Sequence, residues 1–129
     1  MTTASPEIFS TVAKQDYLSL FDGEKPKCQD VMKFIEFQKQ DVARAAGVPL
    51  ASVRWDDRMP AEVKERFREW ANLLNLVAEF FEGDVRKTLL WFTLPNPMLG
   101  NVPPRDMIRF GRYKRLSKFI ANALSENRR

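Results

Sequence analysis

The run from Ala61 to Glu82 constrains the fold more than any other part of the chain. Val63, Phe67, Trp70, Leu74, Val77 and Phe81 recur three or four residues apart, the period of one face of an α-helix. Glu62, Lys64, Glu65, Arg66, Arg68 and Glu69 give its first half a polar side. Leu73, Leu76 and Phe80 widen the apolar stripe beyond what a helix with one wet face needs. The expectation is therefore a long central helix packed on two sides. Gly83 stops it, and Asp84 is placed to cap a further helix, Val85 to Phe92.

Around this element the signals are shorter. Val31, Phe34, Ile35 and Phe37 suggest a helix from Asp30, and Lys39 to Ala46 a second, closed by Gly47 in a left-handed conformation. Leu50 to Trp55 reads as a third, opened by Pro49 and ended by Asp56-Asp57. Residues 1–28 form an irregular or partly helical lead-in, with Asp22-Gly23 and Pro26 as turn signals. After the stretch Leu94–Pro104, whose four prolines forbid regular helix or central strand, Pro104 opens a short helix to Phe110. Gly111 breaks it, and Arg112 to about Leu124 forms the last helix, with Leu116, Phe119, Ile120, Ala123 and Leu124 on one face. No segment reads as a β-strand, and the expected class is all-α.

Composition removes whole classes of chemistry. The 129 residues include no histidine and one cysteine, so the usual transition-metal ligands and the commonest general base near neutral pH are missing. The five glycines form no phosphate-cradling series. No enzyme activity, cofactor or metal is expected. Cys28 lies near Lys25 and Lys27, yet without a second thiol or histidine it is expected to be inert. No stretch is long and apolar enough to span a membrane, and Met1 to Ser10 lack the form of a secretory signal. A cytoplasmic protein without membrane association is the expectation. Residues 1–60 carry eight basic and nine acidic side chains, residues 61–129 thirteen and eight. Much of the basic excess lies in Arg105, Arg109, Arg112, Lys114, Arg115, Lys118, Arg128 and Arg129. Such a cluster attracts an acidic partner or nucleic acid, or simply forms a solvated face.

Val42, Ala43, Ala46, Gly47, Val48 and Val53 match the spacing of a helix-turn-helix, with a small residue at the crossing and a glycine in the turn. Residues 29–60 would form this trihelical part. Lys39, Arg44, Ser52, Arg54 and Arg58 are its candidate DNA contacts, although charges from Asp30 to Pro60 balance. The same spacing also serves small trihelical cores that never touch DNA.

The most informative stretch is Trp91-Phe-Thr-Leu-Pro-Asn-Pro-Met-Leu-Gly-Asn-Val-Pro-Pro-Arg-Asp-Met-Ile-Arg-Phe-Gly111. Its tryptophan, Asn-Pro, Leu-Gly, proline, short helix and final glycine resemble the toxin-binding domain of Xre/MbcA/ParS-type antitoxins, over roughly residues 61–125. Asn101 stands where that family commonly has a second glycine, and asparagine tolerates the same left-handed backbone. The resemblance implies a helical toxin-binding domain at 61–129 downstream of a helix-turn-helix. It implies a bacterial type II antitoxin that binds a RES-type, NAD-consuming toxin, blocks its active site and represses its own operon. Carried over by position, Trp91 anchors the motif, and Asn96, Pro97, Leu99 and Gly100 shape the loop. Arg105, Asp106, Arg109, Gly111 and Arg112 fall on or beside the toxin-facing element.

The residues themselves agree with this in part. A proline-stiffened loop loses little entropy on binding, and Leu94, Met98, Leu99 and Val102 are its apolar anchors. Trp91 and Phe92 continue the stripe of Val85 and Leu89, which points to core rather than interface. Arg105, Arg109 and Arg112 suit either solubility or a partner's carboxylates. A homodimer or a hetero-oligomer with the toxin is expected. The alternatives are a helix-turn-helix transcription regulator without a toxin partner and, more remotely, an enzyme using carboxylates alone.

Overall fold

The computed structural model describes residues 12–127. Residues 1–11 of the expected lead-in, and Arg128 and Arg129 of the basic end, lie outside the described residues. Helices α1 (Cys28–Phe34), α2 (Lys39–Ala46), α3 (Ala61–Phe80), α4 (Val85–Thr93), α5 (Pro104–Arg109) and α6 (Tyr113–Asn127) carry most of the structure. A two-stranded antiparallel hairpin, β1 (Phe21–Asp22) with β2 (Lys25–Pro26), precedes them. None of the helices is long and apolar enough to cross a membrane.

The axis is α3, as its double stripe requires. Val63, Phe67, Trp70, Leu73, Leu74, Leu76 and Val77 are all buried, and the helix packs against α1, α2, α4, α6 and β2. Buried residues from before it (Val31, Ile35, Val42, Val53) and after it (Phe92, Ile108, Leu116, Ile120) join one core around it. Trp70 is the keystone: Phe67 and Phe37 meet it edge-on at 5.2 and 5.9 Å between ring centroids. Each such pair contributes about 0.5–1.5 kcal/mol beyond the area it buries. Phe80, expected on the inner stripe, is 49 % exposed. The helix ends there because Glu82 and Gly83 both take positive φ, +56° and +83°.

Local chemistry explains the other ends. Gly47 closes α2 with φ +70°, and Gln38 and Asp41 form a reciprocal capping box at its start. The Asp84 carboxylate accepts from the Lys87 N–H, capping α4. Pro104 occupies the first turn of α5, where its missing N–H costs nothing. Leu116, Ile120 and Leu124, four residues apart, seat α6 in the core.

Three expectations need correction. The segment Leu50 to Trp55 is not a helix but a single 3-10 turn, Leu50–Ser52. Val53 leaves it in an extended conformation to bury its side chain, and the Asp56 carboxylate accepts from the Arg58 N–H, folding the chain into a turn instead. Second, α1 starts at Cys28 and ends at Phe34; Glu36, at φ +58°, swings Phe37 out of the helix and into the core. Third, the chain does contain β-structure. Gly23 and Glu24 make the turn of the short hairpin, with Gly23 at φ +63°.

Residues 12–20 follow an irregular course, one of the two alternatives expected for the lead-in, and run as a strap along α3, held by polar side chains of that helix. Asn72 Oδ1 accepts from Ala13 N–H, Asn75 Oδ1 from Leu18 N–H, and Glu79 Oε1 from Lys14 N–H. Asn75 is buried and donates to the Asp16 carboxylate, which also accepts from the N–H groups of Leu20 and Phe21. A buried amide is stable here because its oxygen and its nitrogen are both satisfied.

Candidate functional site

Pro95 forces Leu94 into an extended backbone, φ −91° and ψ 146°, and so ends α4. The chain then closes on Asn96. Its side-chain oxygen accepts from Met98 N–H, its carbonyl accepts from Leu99 N–H and Asn101 N–H, and its own N–H donates to Val102 carbonyl. Gly100 and Asn101 follow each other in the left-handed region, at φ +71° and +64°, which lets so tight a loop return. Pro97–Leu99 form one 3-10 turn across its tip.

This arrangement sorts the side chains. Leu99 and Val102 tuck against the core. Met98 is 77 % exposed and Leu94 54 %, with the exposed Pro95 and Pro97 between them. Leu90, one helical turn before Leu94, is also exposed and extends the apolar row onto α4. Of the four apolar residues expected as anchors, two face outward and two hold the loop in place. Trp91 is half-buried against the core and Phe92 fully buried, in line with their core reading.

Three of the charged residues expected on or beside the partner-facing element, Arg105, Asp106 and Arg109, are tied to the body. Arg109 pairs with Asp106 at 2.8 Å and with Asp41 of α2 at 3.4 Å, and its guanidinium lies 5.3 Å from the Phe37 ring centre. Arg105 pairs with Glu36. These contacts brace α5, and hence the loop before it, against α2 and the α1–α2 turn. Gly111, at φ +77°, turns the chain into α6, and Arg112 is exposed beside it.

The candidate DNA contacts are scattered in role. Lys39 sits 5.6 Å from the Trp55 ring centre, Arg44 and Arg58 are exposed, and Ser52 is half-buried in the 3-10 turn. Arg54 grips Asp56 through two nitrogens at 2.7–3.2 Å, and that hydrogen-bonded guanidinium holds the Asp56 carboxyl below its ordinary range. Asp56 thus serves as a partner for Arg54 as well as a turn former.

Elsewhere the chemistry is quiet. Burial pushes the Cys28 thiol up from its ordinary value, the opposite of activation. A cavity of about 660 Å³ between the strap and α3 is lined by Asp16, Glu24, Glu65 and Glu69 among others. Three of these four acids are occupied: Glu65 pairs with Arg68, Glu69 with Arg66, and Asp16 binds backbone. Among the described residues no group of acidic or thiol side chains is arranged to hold a metal ion. Leu90 as part of the outward row escaped the sequence reading; its place four residues before Leu94 and opposite Phe92 on the helix was the available signal. No protein-family model matches the chain, and no curated protein or solved structure does either.

Proposed function

We propose that this chain is the antitoxin of a type II toxin–antitoxin pair, binding a RES-type toxin and blocking its active site, as a homodimer or within a hetero-oligomer. The observation that carries the reading is the braced loop with Leu94 and Met98 projecting from it. A loop already closed by its own hydrogen bonds gives up little freedom when it docks, so the apolar anchors keep most of their gain. Burying one such side chain contributes about 1.5–3 kcal/mol. The resemblance of residues 91–111 to the toxin-binding motif of Xre/MbcA/ParS-type antitoxins supports the same conclusion. Asn96 and Gly100 then act as loop formers, Arg105, Asp106 and Arg109 as braces, and Pro97 as part of the contact surface. Leu99 seats the loop, while Arg112, exposed and without an ion pair among the described residues, meets a partner's carboxylate.

In the same reading, residues 29–60 are the helix-turn-helix part through which the protein represses its operon. The element expected to enter the major groove is one 3-10 turn, and Arg54 is paired with Asp56. A regulator without a toxin partner leaves the projecting loop unexplained. Co-expression with the product of the adjacent reading frame, which this reading requires to be a RES-type toxin, tests the proposal. The intact chain should relieve growth arrest, and replacement of Asn96–Gly100 by a Gly-Ser linker should abolish relief while the helical circular dichroism persists. Relief that survives the replacement would refute the site, and absence of relief by the intact chain would refute the function.

A further inference from the structure

Residues 107–125 contain five basic side chains and no acidic one. Of these Arg109 is ion-paired, as are Arg54, Arg66, Arg68 and Arg105 elsewhere among the described residues. Lys114, Arg115 and Lys118 of α6 are exposed, and none of them forms an ion pair among the described residues. Lys114 and Lys118 stand one helical turn apart, directly opposite the buried row Leu116, Ile120 and Leu124, with Arg115 beside them.

We infer that this face of α6 binds the phosphate backbone of a nucleic-acid duplex. The face offers positive charge, offset only at Lys114 by the nearby Glu69 carboxylate, along a rigid rod, which suits a regular polyanion. It carries no large apolar side chain of the kind that anchors a protein interface. A membrane surface fits less well, because the apolar side of α6 is buried in the core and none is left to insert. Contacts of this kind fix position without reading sequence. The surface is separate from the projecting loop and does not depend on toxin binding.

The test is fluorescence anisotropy of a short labelled DNA duplex of arbitrary sequence, titrated with the full chain at several salt concentrations. Neutralising three phosphates predicts a slope of log K against log salt near −2.7, about a 40-fold loss of affinity between 50 and 200 mM. The triple variant Lys114→Gln, Arg115→Gln, Lys118→Gln should lose at least tenfold at low salt and flatten the slope. Lys114→Arg with Lys118→Arg should bind like the parent. Affinity retained by the triple variant overturns the assignment, as does a chain that ignores the duplex at low salt. Binding of poly-glutamate in preference to the duplex overturns it in favour of an acidic protein partner.

Discussion

Arg109 separates a brace from a contact residue, because the two roles fail in different assays. Its side chain is 25 % exposed and joins Asp106 on its own helix to Asp41 on α2, at 23 % exposure, while stacking on Phe37. Arg109→Met keeps the aliphatic stem over the ring and removes the charge. The hydrogen bond to a charged group contributes about 1.5–3 kcal/mol where it is well shielded, and partial exposure trims it. Loss of the cation–ring contact adds about 0.5 kcal/mol, for a total near 2 kcal/mol. At about 4 °C per kcal/mol for a domain of this size, the melting temperature should fall by about 8 °C. Calorimetry or a circular-dichroism melt measures it, and a double-mutant cycle with Asp41→Asn should show coupling of about 0.5–1.5 kcal/mol. A melting temperature within about 1 °C of the parent, with weakened partner binding, would refute the brace and return Arg109 to the interface.

Tyr113 is half-buried, donates to the Glu69 carbonyl, and is pushed up to about 12 from 10.0, chiefly by burial and then by the Glu69 charge. The folded state therefore holds its proton more tightly than the unfolded one. Its contribution to stability is complete below pH 10 and is lost as pH rises through about 12. Tyr113→Phe should flatten the alkaline fall in urea-unfolding stability by about 2 kcal/mol at most; parallel profiles would contradict this. Gly100 sits at φ +71° with open space around a notional Cβ. Gly100→Ala should cost about 1 kcal/mol from the backbone alone and Gly100→Asn less, whereas equal costs in urea unfolding would deny that φ is the cause.

What could be read from the sequence was local. The course of α3 to α6 followed from three-and-four spacing, glycine stops and prolines that begin turns, and Asn101 does adopt the left-handed backbone its chemistry permits. The hidden features depended on contacts across long separations. Asn72, Asn75 and Glu79 read as polar positions on a helix, yet they hold a strap some sixty residues earlier in the chain. Arg105 and Arg109 read as free charge because nothing in their own segment named Glu36 and Asp41 as partners. Strands of two residues are too short to display an alternation. In Leu50 to Trp55 helical propensity yielded to the burial of Val53, set by tertiary packing, and to the local Arg54–Asp56 pair.

The central claim is that Leu94 and Met98 are displayed to be buried by a toxin. The most direct measurement is the dissociation constant, by biolayer interferometry, between the chain and the product of the adjacent reading frame, which the proposal requires to be a RES-type toxin. The double variant Leu94→Ser, Met98→Ser should bind at least about thirtyfold more weakly, the loss of roughly 2 kcal/mol from two anchors. Its melting temperature should stay with the parent's, since both side chains are mostly in water. An unchanged dissociation constant, or no complex with the unaltered chain, would contradict the account.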